Sequence, residues 1–161
     1  MRKWQWAFAS AAAVWTLSLP VAAFEASRTA AAPLGYGFAF VIYAIGSLVC
    51  HQRPERSFYL WGAQLPVCAR CVGLYLGATL AAAATLLAPE VGRRRRRAGW
   101  NALRISSRLK LLFCAALPTL LTLVYEWTTG RAPTNSVRGV TAAALGSGLA
   151  VLLLSGLEQP E

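Results

Sequence analysis

The sequence predicts an all-α fold, a polytopic integral membrane helix bundle with four to five transmembrane helices. Three observations support this prediction. The chain of 161 residues is 57% hydrophobic, with only 14% charged residues and a mean hydropathy of +0.48. Uncharged apolar runs recur along it, and several approach the roughly 20 residues that a helix needs to cross a bilayer. These runs are unbroken, whereas strands of a membrane barrel alternate apolar and polar residues.

The uncharged runs predict the elements in order, within a single membrane domain that covers residues 1–161. The candidate helices span 4–24, 30–49, 68–89, 109–126 and 138–157, with a basic loop at 90–108. The first run also has features of a signal peptide, because Arg2 and Lys3 precede it and Val21-Ala22-Ala23 offers a small-residue cleavage site. Two interpretations of this run therefore stay open, a crossing helix and a cleaved signal.

The charge distribution predicts an orientation in the cell (inner) membrane. Eight of the sixteen Lys and Arg residues fall between Arg93 and Lys110, and positive loops stay cytoplasmic. We therefore expect this loop inside, where it can also contact anionic lipid head groups. Five crossings then place the N-terminus outside and Glu161 inside. The net charge of +10 is explained by membrane topology, so no nucleic acid partner is expected. The sequence does not identify a protein partner.

Two polar loops are expected on one face of the bundle, because two crossings separate them. They cover residues 50–71 and 126–138. With the basic loop in the cytoplasm, both loops are predicted to be extracytoplasmic.

The first of these loops contains a cluster of cysteines with the single histidine. Cys50 and His51 end the second predicted helix, and Cys68 and Cys71 lie in the first turn of the third, just after Pro66. Residues three apart share a helix face, so both thiols can point at one atom. Three sulfurs and one imidazole suit tetrahedral zinc. The pattern therefore predicts a metal site of Cys50, His51, Cys68 and Cys71.

Other interpretations of the cluster stay open. Cys68 and Cys71 form a C-x-x-C pair, which is also typical of a redox dithiol. The thiols could instead form a structural disulfide or be unreactive. His51 could support a ligand or act as a general base. Cys114 stands alone in the fourth helix and is expected to be a small buried apolar residue.

Basic and acidic residues of the two loops are candidates for binding an anionic group. Guanidinium groups bind phosphate and carboxylate bidentately, although arginines near a membrane surface often only reach toward water. Glu126 either pairs with Arg138 across two helix ends or carries protons as a base. Asn135 is a candidate helix cap. The predicted substrate-binding residues are Arg53, Arg56, Arg70, Asn135 and Arg138, with Gln52, Ser57 and Gln64 as further hydrogen-bonding groups.

The helices themselves carry a packing signal. Gly73 and Gly77 form a G-x-x-x-G pattern, and Ala142, Gly146 and Ala150 repeat this spacing in the last helix. Small residues at this spacing let helices pack closely in lipid.

Two stretches resemble a family of small prokaryotic membrane proteins called domain of unknown function 2085. They read CHQRPERSF at 50–58 and QLPVCARCVGLYLG at 64–77. A weaker likeness covers 118–146, where Glu126, Asn135 and Arg138 match an acidic residue, an Asn and an Arg. The chain departs from the pattern with Glu for Asp at 126 and with Ala142 for Gly. The resemblance implies a polytopic membrane protein of about four core helices, and it implies no known activity.

These observations predict a membrane protein with a zinc site at the membrane interface. If the metal keeps an open position, it can activate water for hydrolysis of a lipid-linked or anionic substrate. The alternatives are a thiol–disulfide oxidoreductase that uses Cys68 and Cys71, and a scaffold or transport protein with a structural cluster. Whether the protein is an enzyme stays open.

Overall fold

The computed structural model describes residues 2–29, 32–87 and 105–156. Five α-helices and one two-stranded sheet are present in these ranges. In chain order they are α1 (Arg2–Ser27), α2 (Pro33–Val49), β1 (Ser57–Leu60), β2 (Ala63–Cys68), α3 (Ala69–Leu87), α4 (Ile105–Thr129) and α5 (Asn135–Gly156), and a single 3-10 turn at Pro54–Arg56 precedes β1.

The predicted fold class, an all-α membrane bundle, is confirmed. Four of the described helices are long and apolar enough to cross a membrane, and they are α1, α3, α4 and α5. The helix α2 has 17 residues, which at a rise of about 1.5 Å per residue gives about 25 Å, less than the roughly 30 Å of a bilayer core. The predicted basic loop at 90–108 lies mostly outside the described residues.

The helix α1 runs antiparallel to α3 and α5. The rings of Trp15 and Tyr75 meet edge to face with their centroids 5.9 Å apart, and the hydroxyls of Thr16 and Thr79 lie 2.9 Å apart. At the other end of the bundle, the Gln5 side-chain amide donates a hydrogen bond to the Leu154 carbonyl, at 3.3 Å. The C-terminal part of α1 therefore runs toward the end of the bundle at which α3 begins.

The helices α3 and α5 run parallel and pack closely through small residues, as their spacing predicts. A methyl group on Gly73 would collide with the Gly139 carbonyl, and one on Gly77 would collide with the Ala143 carbonyl. The helix α4 returns antiparallel to α5, where the Thr119 hydroxyl donates to the Thr141 carbonyl at 2.9 Å. Consequently α1 and α4 end, and α3 and α5 begin, at one end of the bundle, which we call the site end.

A β-hairpin of residues 57–68 replaces the predicted loop before α3. Ser57 pairs with Cys68, and Trp61 and Gly62 form the turn with φ angles of 51° and 82°. Cys68 is therefore the last residue of β2, and the prediction that it lies in the first turn of a helix is wrong. Pairing with Ser57 holds it in extended backbone, and α3 begins at Ala69.

The helix α2 starts and finishes at the site end. Near its start, the Tyr36 hydroxyl donates to the carbonyl of Arg28, just beyond α1, at 3.2 Å. Its last turn packs on β2, where the Tyr43 hydroxyl donates to the Gln64 carbonyl. Buried residues of α1, β2 and α2 with its C-cap form the core here, and they are Leu19, Ala22, Ala39, Ile42, Cys50 and Val67.

Candidate functional site

Three structural elements bring three thiols together at the site end. Cys50 caps the C-terminus of α2, with its backbone N–H donating to the Gly46 carbonyl at 2.9 Å. Cys68 ends β2, and Cys71 lies in the first turn of α3. Their sulfur atoms all lie within 4.8 Å of one another. The structure thus brings together the three cysteines that the sequence predicts as metal ligands.

Hydrogen bonds hold the sulfurs in this arrangement. The Sγ atoms of Cys68 and Cys71 lie 3.7 Å apart, and the Cys68 backbone N–H donates to the Cys50 sulfur at 3.2 Å. Cys50 is buried and the other two thiols are partly buried. The hydrogen bond with the Cys71 thiol lowers the pKa of Cys68 to about 5, against the opposing effect of burial. Cys68 is therefore poised as a thiolate, the form that binds metals and attacks disulfides.

His51 lies beside the thiols but not among them. It is exposed, and it lines the same cavity as the three cysteines. The group of sulfurs within 4.8 Å of one another does not include an imidazole nitrogen. Its predicted role as the fourth ligand or as a base stays a prediction.

Two glutamine side chains fix the loop that carries Cys50 against β2. The Gln52 amide donates to the carbonyls of Tyr43 and Pro66, at 2.8 and 2.7 Å. The Gln64 amide donates to the Gln52 carbonyl at 2.6 Å and to the Ser57 hydroxyl at 3.2 Å. Gln52 has a φ of 46°, so these bonds hold a left-handed backbone. From the sequence, both glutamines could be predicted only as general hydrogen-bonding groups, because their partners are distant along the chain.

Glu126 joins three arginines from three parts of the chain. Its Oε1 accepts from Arg56 at 2.7 Å and from Arg138 at 3.0 Å, and its Oε2 accepts from Arg70 at 2.9 Å. The Arg138 side chain is only 1% exposed. The pairing of Glu126 with Arg138 was one of two interpretations of these residues, and it is present in the structure. The two further arginines could not be assigned to Glu126 from the sequence.

The thiols and the arginines line one cavity of about 360 Å³. Arg53, Arg56, Arg70 and Arg138 all contribute to its wall. Within the described part of the chain, the Nε atoms of Arg70 and Arg138 are buried without a hydrogen-bond partner. Buried donors of this kind are normally satisfied, so these two atoms are exceptions in the charged part of the site.

Asn135 has a different position from the one predicted. Its side-chain amide donates to the Ser57 carbonyl at 2.9 Å, which ties the start of α5 to β1. The helix is capped instead by Thr134, whose hydroxyl accepts from the Val137 N–H at 3.4 Å. Asn135 is not on the cavity wall. The prediction that it caps the helix is therefore wrong, because the preceding threonine takes that position.

Cys114 lies apart from the cluster. It is exposed on α4, so the prediction that it is buried is wrong. An apolar thiol on the outer face of a transmembrane helix can face lipid without penalty, which hydropathy alone does not distinguish from burial.

Comparison with known proteins identifies the family of the chain. The family model described as predicted membrane protein (DUF2085) matches residues 50–152, which include the hairpin, the three thiols and Glu126. The chain belongs to this family. The resemblance noted in the sequence is thereby confirmed.

Two archaeal relatives share short, closely similar segments with this family member. An uncharacterized protein of Methanocaldococcus jannaschii is 56% identical over 36 residues, which are 22% of this chain and 23% of that protein. An uncharacterized protein of Methanothermobacter thermautotrophicus is 57% identical over 30 residues, 19% of this chain and 27% of that protein. The chain thus matches about a quarter of the length of these relatives. No solved structure matches it.

Proposed function

We propose that this membrane protein holds a metal ion, with zinc as the best fit, and binds an anionic group beside it. The observation that carries the proposal is the shared cavity, whose wall contains three clustered sulfurs and four arginines. The ligands are Cys50, Cys68 and Cys71. The substrate is a phosphate- or carboxylate-bearing molecule that is lipid-linked or lies close to the membrane.

The spacing of the Cys68 and Cys71 sulfurs matches that of two zinc ligands. Zinc–sulfur bonds of about 2.3 Å in a tetrahedron place neighbouring sulfurs about 3.8 Å apart. The Cys68 and Cys71 sulfurs are 3.7 Å apart, and Cys50 lies within 4.8 Å of both. His51 lines the same cavity, so either its imidazole or a water molecule would complete the tetrahedron.

The arginines supply the affinity for an anion. Glu126 neutralises one positive charge among Arg56, Arg70 and Arg138, and Arg53 adds a fourth guanidinium to the wall. The cavity therefore keeps an excess of positive charge. Guanidinium groups bind phosphate and carboxylate through paired N–H groups, which suits the arginines on this wall to an anionic ligand.

An open metal position would supply an activated water for hydrolysis. In that case the arginines hold the anionic group of the substrate, and His51 is placed at the cavity to accept a proton. Both oxygens of Glu126 already accept from guanidinium groups, so in this proposal it orients the arginines. Proton transfer by Glu126 stays a prediction.

The site faces the outside of the cell membrane in this proposal. The densest positive cluster, Arg93 to Lys110, supports a cytoplasmic location for the segment between α3 and α4. The site lies at the opposite ends of these helices. A lipid-linked substrate would therefore meet the cavity at the outer surface of the bilayer.

A second candidate function is thiol–disulfide exchange by Cys68 and Cys71. The observation that favours it is the lowered pKa of Cys68, about 5, beside a second thiol at 3.7 Å. A low pKa makes a thiol reactive at neutral pH. An extracytoplasmic site would also lie in a compartment where such pairs are oxidised.

Metal content and thiol count of detergent-purified protein, prepared without chelator, test the proposal. We expect about one zinc ion per chain in the unmodified protein, as a single tetrahedral site requires. The variant Cys68→Ser should lose the zinc. The matched control Cys114→Ser removes a thiol outside the cluster and should keep it.

Three results would contradict the metal site. Metal-free protein with two thiols blocked until a reductant is added would favour the redox pair. Metal-free protein with four reactive thiols would argue against both the metal site and the redox pair. Zinc that survives Cys68→Ser would place the metal elsewhere in the chain.

A further inference from the structure

We propose that α2 is an interfacial helix, which lies in the lipid layer on the side of the site and does not cross the membrane. The chain would then cross four times, through α1, α3, α4 and α5. This inference goes beyond the proposed function and does not depend on it. The partner of α2 is the lipid of the bilayer itself.

The first argument is that both ends of α2 lie at the same end of the bundle. Its start is fixed to the end of α1, where Tyr36 bonds to the Arg28 carbonyl. Its last residue is followed by Cys50, whose sulfur accepts from the N–H of Cys68, the residue just before α3. Because α1 is antiparallel to α3, these two anchor points share one side. A crossing helix would separate its ends by the thickness of the bilayer.

The hairpin gives a second argument. Its tip contacts α1, where the rings of Trp61 and Phe24 lie 5.3 Å apart, and its other end opens into α3. The hairpin thus extends across the site end from α1 to α3. The last two turns of α2 follow β2 in the same direction, with Tyr43 at Gln64 and Cys50 at Cys68. The helix therefore lies across the end of the bundle.

The surface of α2 identifies lipid as its partner. The helix carries no charged residue, and it exposes large apolar side chains that include Leu34 at 86%, Phe40 at 75% and Leu48 at 84%. Exposure of such a surface to water would be unfavourable, since large apolar patches normally lie against protein or in a membrane. Its length is at the lower limit for a span. An apolar helix that is short for crossing and fixed at one end of a membrane bundle fits the lipid layer at that end.

The charge distribution gives a third, independent argument. Four crossings place the start of α1 on the same side as the segment between α3 and α4. Ten of the sixteen Lys and Arg residues then share that side, because Arg2 and Lys3 join the eight between Arg93 and Lys110. Five crossings would separate Arg2 and Lys3 from the basic segment. The rule that positive segments stay cytoplasmic favours four. The N-terminal end of α1 would then be cytoplasmic, and not outside as five crossings imply.

Labelling from one side of the membrane tests the number of crossings. Single variants Lys3→Cys, Thr29→Cys and Ala132→Cys place thiols at three exposed positions near helix ends. Right-side-out vesicles are treated with a membrane-impermeant maleimide, before and after permeabilisation. Mass spectrometry of the labelled peptides separates the new thiols from the native ones.

We expect Thr29→Cys and Ala132→Cys to be labelled from the same side, and Lys3→Cys from the other. A crossing α2 would instead put Lys3→Cys and Ala132→Cys together, with Thr29→Cys opposite, and would overturn the proposal. All three thiols on one side would overturn it as well, since α1 would not cross.

A second measurement tests the lipid partner. Proteoliposomes that contain a photoactivatable phospholipid should give crosslinks to the peptide of α2. If a second copy of the chain covers α2, its peptide will stay free of lipid while the peptides of the other helices are crosslinked, which would overturn this part of the proposal.

Discussion

The interface between α3 and α5 and the site at the start of these helices are held together in different ways. Along the interface, Gly73 and Gly77 let the two backbones touch, and neither helix carries a charged residue beyond its first turn. At the site end, Glu126 joins three arginines, and glutamine amides tie the loops to the hairpin. The first region depends on the shape of the backbone, and the second depends on directional polar contacts.

The difference follows from the solvent of each region. Lipid tails are as apolar as the helices, so burial of apolar area gives little association there, and close packing of small residues takes its place. At the site end, buried charges need partners with good geometry. Changes in the interface should therefore cost the most stability, whereas changes at the site should cost less stability and also alter anion binding.

The largest effect is expected from Gly77→Leu. The new side chain would meet the Ala143 carbonyl, which is backbone and cannot move aside without separating α3 from α5. We expect the free energy of unfolding to fall by at least about 4 kcal/mol, which is exceptional for a single substitution. Thermal unfolding in detergent, followed by circular dichroism, measures it.

The matched control is Gly37→Leu in α2. A side chain at Gly37 meets no atom within 4 Å of its Cβ, so the same substitution should leave the unfolding temperature nearly unchanged. If both variants unfold at the same temperature as the parent protein, close packing of α3 on α5 is not what holds the bundle.

A smaller but specific effect is expected from Glu126→Gln. The change keeps the size of the side chain but leaves Arg56, Arg70 and Arg138 without their counter-charge. Removing one partner of a buried ion pair lowers the free energy of unfolding by about 3 kcal/mol or more. Because Arg56 is partly exposed, we expect a loss of about 3 kcal/mol. Inorganic phosphate should restore much of the stability, because it can replace the carboxylate. Unfolding temperatures with and without phosphate measure both effects.

The control for this prediction is Glu55→Gln, which removes a carboxylate at an exposed position next to the site. Its unfolding temperature should be close to that of the parent and should respond to phosphate as the parent does. A Glu126→Gln variant that gains no more from phosphate than this control would contradict an anion site among the arginines.

The sequence was sufficient for the features that depend on local pattern. Long uncharged runs predicted the four long helices, since composition alone decides whether a segment suits lipid. The spacing of Cys68 and Cys71, with Cys50 ending the preceding helix, predicted that three thiols meet. The small-residue spacing at Gly73 and Gly77 predicted a close helix contact.

Features that depend on distant partners could not be predicted. The hairpin contains Pro66 and few β-branched residues, so its sequence does not show a strand pattern. Hydrogen bonds from Gln52 and Gln64 fix its position. Glu126 lies 70 residues from Arg56, and only the fold brings them together. Hydropathy likewise shows that α2 is apolar but not in which direction it lies.

The smallest effect on stability is expected from Cys71→Ala, which should alter the reactivity of Cys68 without disturbing the packing of the helices. In protein stripped of metal, alkylation of Cys68 should follow its thiolate, with a midpoint near its pKa of about 5, so the rate should be nearly constant from pH 6 upward. Cys71→Ala removes the hydrogen bond that lowers this pKa. The midpoint should then rise toward the ordinary thiol value of about 8.5, so that at pH 6 the variant reacts slowly. Rates of iodoacetamide labelling between pH 4 and pH 9, read by peptide mass spectrometry, measure the shift.

This variant should affect the site and not the helix interface. The alanine adds no bulk and leaves the α3–α5 interface intact, so the unfolding temperature should change little while the midpoint moves. A variant with an unchanged midpoint would show that Cys71 does not stabilise the Cys68 thiolate. The lowered pKa of Cys68 would then have to come from the backbone N–H groups at the start of α3. The proposal of a redox pair would lose its support.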